Sequence, residues 1–352
     1  MEMIYLKSAA EQVATHLRQQ AIEGQLTGLL PGVKHLATGL GVNHKTVEAA
    51  LLLLEKEGIL EVQGSGRRRR IALPRDAVVP KRVGFMLYDA ASAQLDYMIN
   101  LRHTLQEAGH VLVIPDKALV DLKMDVTRVA GMVRSTSADA WVISAGSRAV
   151  LEWFAAQPEP SFALFGRQQG IRVAGVKPNK PGAYTAAVHR LVELGHRSIV
   201  MLCRTESRLP EPGRGPRAFL DALEARSVQT GRYNLPDWDD TPQGFQAILE
   251  SLFRVTPPTA LLVDGALLFA ATQQFLARRG IRVPEDVSLI CTDADPTFAW
   301  CRPTIAHIDW DSRPVVRRVA RWAAAISRGR EDLKQTLTKA TFADGGTVGP
   351  AK

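Results

Sequence analysis

From residue 83 onward, apolar runs of about five residues alternate with amphipathic stretches of helix length, and the alternation occurs twice. The first series runs VGFML, HVLVI, AWVIS and SFALF, with helices predicted near 93–108, 123–135 and 147–156. The second begins at 183: helix AYTAAVHRLVELG, strand SIVMLC, helix PRAFLDALEARS, the segment FQAILESLF, strand TALLVD, helix LFAATQQFLARRG and strand VSLICTD. Short apolar runs separated by helices are the pattern of a parallel sheet, whose neighbouring strands need a long crossover between them. Two such series in order imply two lobes. Open parallel sheets take ligands at the carboxyl ends of their strands, so two facing lobes make a cleft that can close on a small molecule.

The first 74 residues follow a different pattern. Residues 8–22 place Val13, Leu17 and Ala21 on one helical face, 33–39 form a short second helix, and GLGV (39–42) is a tight turn. Asn43 suits the N-cap of a third helix, HKTVEAALLLLEKEG, which turns Val47, Ala50, Leu51 and Leu54 inward and leaves His44, Lys45, Thr46 and Glu48 at its exposed start. ILEVQ then reads as a strand, GSG as a hairpin turn and RRRRIAL as the returning strand. Three helices followed by a hairpin make a winged helix-turn-helix, with the third helix in the major groove and the wing along the phosphates. Gly64, Ser65 and Gly66 let the wing tip approach DNA closely, and at least two of Arg67 to Arg70 are expected to touch phosphate, with Arg67 and Arg68 the candidates.

The stretch LPGVKHLATGLGVNHKTVEAALLLLEKEGILEVQGSGRRRRI resembles the DNA-binding domain of the GntR family of bacterial regulators. That resemblance implies DNA contacts from Lys34, His44, Lys45, Thr46 and the wing residues 64–66. The family usually carries arginine where this chain has His44, and often again at Glu48. Glu48 is therefore either a specificity residue, since a carboxylate can accept from cytosine N4, or a non-contact. Residues 75–82, RDAVVPKR, read as a linker between a 1–74 head and an 83–352 effector domain.

Residues 83–345 resemble the LacI/GalR family of sugar-responsive regulators, which share their fold with periplasmic binding proteins. The resemblance rests on AAVHRLVELGHRSIVML (186–202) and on the G..VPEDVSL and D......RP.IAHI..D spacings within 258–311. It implies a GntR-type head on a LacI-type sensor, an arrangement known from arabinose-responsive repressors. In that family an Asn-Asp pair follows the strand that ends near 264; here Ala266 stands at the aspartate's position, and Asp264 either substitutes or only ends the strand. The family's ligand-clamping arginine falls in GRGPRAF, where Arg217 enters the candidate set with Arg214 as the alternative. Strand-end logic adds Tyr88, Asp89, Arg167, Arg204, Asp264, Asp293 and Trp300. Polar side chains that fork-bond hydroxyls, with one stacking aromatic, suit a carbohydrate.

Composition narrows the classes. The chain has 46% hydrophobic and 23% charged residues, which is globular, and its net charge of +8 favours a polyanionic partner. No apolar stretch reaches the ~18–20 residues of a membrane span, and MEMIYLKSAAEQVATHL has no apolar signal core. Cys203, Cys291 and Cys301 fit neither a disulfide framework nor a zinc pattern. GRGPRA fits G-x-G-x-x-A but does not directly follow a strand, and no nucleophile elbow, Walker A or His-Glu-x-x-His is present. The expected protein is an α/β, cytoplasmic, non-enzymatic regulator with no cofactor and no metal. Its expected partners are a double-stranded DNA operator, a small-molecule effector of sugar type and a second copy in a homodimer. It would repress carbohydrate-metabolism genes until the effector releases it. The other reading keeps the DNA-binding head but gives the second domain only dimerisation, or a non-sugar metabolite.

Overall fold

The computed structural model describes residues 8–22, 26, 28–61, 63, 68–72 and 79–352. Helices α1 (Ala9–Ile22), α2 (Val33–Leu40) and α3 (His44–Lys56) enclose a small core of Val13, Leu17, Leu36, Val47, Ala50, Leu51 and Leu54. Helix α1 opens on a reciprocal cap: Glu11 N–H donates to Ser8 Oγ at 3.2 Å, and Ser8 N–H to Glu11 Oε2 at 2.7 Å. Gly41, at φ +64°, makes the left-handed turn between α2 and α3. Asn43 caps α3 as expected, its Oδ1 accepting from Thr46 N–H at 2.8 Å. Replacing Asn43 by alanine should cost about 1 kcal/mol of head stability. Denaturation followed by circular dichroism would show this; an unchanged transition would mean the cap contributes nothing.

Strands β1 (Leu60–Glu61) and β2 (Arg70–Ile71) pair antiparallel, Leu60 opposite Ile71. Residues 28–30 add a short third edge, through Leu30 N–H to Arg69 O at 2.9 Å and Ile71 N–H to Gly28 O at 2.8 Å. Gly24, the wing-tip residues 64–67 and residues 73–78 of the linker region lie outside the described residues.

The larger region carries ten strands in one connected order. The amino-terminal lobe holds β3 (Arg82–Met86), α4 (Asp96–Glu107), β4 (Val111–Val113), α5 (Val126–Ser135), β5 (Ala140–Ser144), α6 (Arg148–Ala155), β6 (Ser161–Leu164) and β7 (Ala174–Asn179). Its strands lie in the order β4-β3-β5-β6-β7, all parallel. The chain then crosses to the second lobe: α7 (Pro181–Glu193), β8 (Ile199–Leu202), α8 (Thr205–Arg208), α9 (Arg214–Glu224), α10 (Pro242–Val255), β9 (Ala260–Val263), α11 (Gly265–Arg278), β10 (Ser288–Cys291) and β11 (Ala306–Trp310). Every residue of β8, β9 and β10 is buried, as expected for strands covered by helices on both faces.

The α/β class and the two parallel lobes match the expectation, but the lobes are not simply consecutive. Helix α12 (Ser312–Ile326) returns to the first lobe, where Val315, Val319, Trp322 and Ile326 pack among Val83, Phe85, Phe162 and Val176. Strand β12 (Gln335–Ala343) then joins the two sheets. Its residues 335–339 run parallel to β7, and 340–343 run antiparallel to β11. Three crossings, after β7, after β11 and within β12, therefore form the hinge.

Candidate functional site

Two surfaces gather the predicted residues. On the head, the amino-terminal end of α3 presents exposed His44 and Lys45, with Thr46 half-buried and Glu48 exposed, while Lys34 is exposed on α2. A capped helix start carries a partial positive charge, so cations there reinforce attraction to a phosphate backbone. Arg68 and Arg70 are exposed on the wing, whereas Arg69 turns back to pair with Glu55 of α3 and braces the hairpin. Of the predicted DNA contacts, Gly64, Ser65, Gly66 and Arg67 lie outside the described residues.

Between the lobes lies a cleft of about 1280 Å³, lined by residues at the carboxyl ends of the strands. Tyr88, Asp89, Arg167, Arg204, Asp264 and Asp293 all line it. Gly166, at φ +72°, allows the close approach that delivers Arg167: a Cβ there would stand 2.6 Å from Gly146 O. Arg167 reaches across the cleft, donating from Nε to Glu206 O and from an η nitrogen to Glu211 O, both at 2.6 Å. Tyr88 OH donates to Glu206 Oε2 at 3.0 Å, and the Arg204 guanidinium lies 5.6 Å from the Tyr88 ring centre. Burial, with Glu206 and Asp240 adding to it, pushes the Tyr88 hydroxyl far above the ordinary tyrosine value, so it remains a donor. Arg204 pairs with Asp240 at 3.1 Å. Asp264 is held by Thr292 Oγ1 at 3.0 Å and Arg204 N–H at 3.4 Å. Asp293 pairs with Lys180 at 3.1 Å and accepts from the Trp310 indole N–H. Asp89 caps the short turn after β3, accepting from Ser92 N–H at 2.8 Å.

Two expected cleft residues lie elsewhere. Trp300 is 89% exposed and does not line the cleft, because the 3-10 turn Pro296–Trp300 buries Phe298 against Phe269 and sends Trp300 to solvent. Arg217 is exposed and also outside. Helix α9 begins at the cleft with Arg214, and three residues later the helix has risen about 4.5 Å away from it. The arginine of GRGPRAF that faces the cleft is therefore Arg214.

Three other aromatic side chains, which strand-end logic did not name, line the cleft in place of Trp300. Tyr97 of α4, Phe165 after β6 and Trp310 at the end of β11 pack with ring centres 5.5, 5.6 and 5.9 Å apart, and all three line the cleft. Phe165 and Trp310 sit at strand ends and were within reach of the same logic that found Arg167; Tyr97, on a helix, was not.

Comparison with known proteins agrees with this architecture. Residues 9–68 match the family model of bacterial regulatory proteins of the gntR family, and residues 188–348 match that of the periplasmic binding protein-like domain. The chain is 34% identical over 128 residues to the HTH-type transcriptional repressor PurR of Edwardsiella ictaluri, covering 36% of this chain and 37% of that one. It is 28% identical over 193 residues to the HTH-type transcriptional regulator RafR of Escherichia coli, covering 54% and 56%. The chain thus spans between about a third and just over half the length of these relatives. Among solved structures, a LacI family transcriptional regulator from Enterococcus faecium with bound ribose superposes with a TM-score of 0.61 at 17% identity, over 77% of this chain and all of that one. The CelR–cellobiose complex gives a TM-score of 0.61 at 17% identity, over 90% of this chain and all of that one. The two curated relatives are a transcriptional repressor and a transcriptional regulator.

Proposed function

We propose that this chain, a GntR-type winged head joined to a LacI-type periplasmic-binding-protein-like domain, is a DNA-binding transcription repressor of carbohydrate-metabolism genes that a sugar-like effector releases. The observation that carries this reading is the pairing of an exposed, capped helix start with an interlobe cleft built from carboxylates, arginines and an aromatic triangle. Carboxylates and guanidinium groups fork-bond vicinal hydroxyls, and the rings offer a face to a sugar's C–H surface. The bound ribose and cellobiose of the two neighbouring structures support the ligand class. The working unit is a homodimer in the cytoplasm, because one winged head covers too little DNA for high specificity and paired half-sites are the usual solution. Among the described residues no helix is long and apolar enough to cross a membrane.

Selection of operator sequences from a random duplex library, followed by titration across salt, tests the head. Lys45→Ala should change base preference at roughly 1–3 kcal/mol per lost contact. Arg68→Ala should weaken all sequences alike and flatten the salt slope by about one unit. Identical salt slopes for wild type and Arg68→Ala would remove the wing from the interface.

One observation favours a second reading. Tyr88 and Arg167 bond across to the facing lobe, so the cleft is partly latched by its own side chains. A domain that only dimerises would behave this way, and it would show no thermal shift with any sugar or metabolite. An effector at ~100 times its dissociation constant should instead add about 2.7 kcal/mol of stability.

A further inference from the structure

Helix α3 turns one face inward and one outward. Val47, Ala50, Leu51 and Leu54 are buried in the core of the head. Lys45, Glu48, Ala49, Leu52 and Lys56 are exposed, and their helical spacing gathers them on the opposite face. That is the face a helix-turn-helix offers to the major groove. Two of the carboxylates at this helix serve the fold: Glu55 pairs with Arg69, and the C-cap Glu57 pairs with Arg18 at 2.6 Å. Glu48 is different. It makes no hydrogen bond or ion pair with any described residue, Lys45 one turn before it included.

Recognition helices meet base edges with their amino-terminal turns. Glu48 stands about 6 Å along the axis from His44, within the ~8.5 Å depth of the major groove, whereas Leu52, 58% exposed, stands about 12 Å along. A carboxylate at that depth is repelled by the flanking phosphates unless a base offers it a donor. The groove holds two base donors, adenine N6 and cytosine N4. Adenine N6 lies beside N7, an acceptor that would face the second carboxylate oxygen, while cytosine presents only its donor. Ala49, next on the same face, has no polar group to compete and leaves room for close approach.

We propose that Glu48 is a specificity-determining residue of the head, whose carboxylate accepts from the N4 amino group of one cytosine in each operator half-site. This rests on the DNA-binding reading above and names a base that reading leaves open. Glu48 selects chiefly by exclusion. Thymine and guanine present O4, or N7 and O6, at the same place, and these acceptors repel a carboxylate. On arbitrary DNA its charge opposes the phosphate attraction with nothing to offset it, so Glu48 also holds non-specific binding down.

The test selects operators from random duplexes with the full-length wild type, Glu48→Ala, Glu48→Gln and Glu48→Arg. Each protein is then titrated against the wild-type consensus and its single-base variants. Wild type should require cytosine at one position of each half-site, and replacing that base should weaken binding roughly 5–150-fold, the size of one good base contact. Glu48→Ala should lose preference at that position alone, keep the others and bind unrelated DNA more tightly than wild type. Glu48→Gln should turn the preference there to adenine, and Glu48→Arg to guanine, a change of base that damage to the fold could not produce. Glu48→Ala and Glu48→Gln should melt close to wild type, because the side chain is exposed and ties nothing in the head. A Glu48→Ala consensus as selective as wild type at every position overturns the inference, and tighter binding to all sequences would then mark Glu48 as a carboxylate that only repels phosphate. A wild-type consensus whose preferences are unmoved by Glu48→Gln and Glu48→Arg overturns it too; both results leave the head standing as a DNA-binding domain. Failure of wild type to select any consensus would remove the DNA-binding reading itself, and this inference with it.

Discussion

Asp332→Ala is expected to destabilise the sensor by about 3 kcal/mol, lowering its melting midpoint by on the order of 10 °C. Arg318 of α12 has a side chain only 4% exposed, and its guanidinium makes two bonds to Asp332, both 2.8 Å, while also bonding Lys334 O. Its plane lies 5.2 Å from the Phe162 ring centre. Removing the carboxylate strands a buried cation, and that penalty exceeds the worth of the pair itself. The 21% exposure of Asp332 lets water relieve part of it, which places the estimate at the lower end of the usual range. The neighbouring Arg172–Glu331 pair, 3.4 Å apart with side chains 79% and 69% exposed, is the internal control, and Glu331→Ala should change stability very little. Equal melting midpoints for the two variants would show that the Arg318 pair does not hold α12 against the segment leading into β12.

The same pair shows where sequence reasoning stopped. The strands VGFML, AWVIS, SIVMLC and VSLICTD were legible because strands buried on both faces must be apolar throughout. The winged head was legible because Asn43, the inward stripe of α3 and the run of arginines are local signals. Helix α12 also carries an apolar stripe, from Val315 to Ile326, but no local pattern says which lobe receives it. Strand β12 mixes lysine, threonine and glutamine with apolar residues, since it serves two sheets and passes through the hinge half-exposed. Cleft residues at strand ends were found because direction is built into a parallel sheet. Trp300 and Arg217 were misplaced because a 3-10 turn and a helix rise decide where those side chains go, and neither follows from position in the sequence.

Asp293→Ala is expected to leave operator affinity intact while abolishing release by effector. Asp293 follows β10, pairs with Lys180 just past the first crossing and accepts from Trp310 just before the second. It therefore joins the cleft wall to two of the three hinge crossings. If the proposed switch holds, loss of the carboxylate would remove both an acceptor in the cleft and a tie between the lobes, whereas the head fold, built on its own core, does not depend on it. If Asp293 only supports its loop, the variant would lose thermal stability with and without effector, and release would persist at higher effector concentration.

On the proposed function, cleft and head form one switch. Closing the lobes would turn the amino-terminal lobes of a dimer relative to each other and change the spacing of the heads. Coupling of this kind is reciprocal, and typical sizes of 1–3 kcal/mol correspond to roughly 5–150-fold. The decisive measurement is a pair of titrations on the full-length chain: operator binding with and without a saturating sugar or sugar phosphate, and binding of that same compound with and without operator. Each ligand is expected to weaken the other by the same factor within that range in wild type, and by none in Asp293→Ala. A compound that binds the wild-type cleft measurably yet leaves operator affinity unchanged would contradict it.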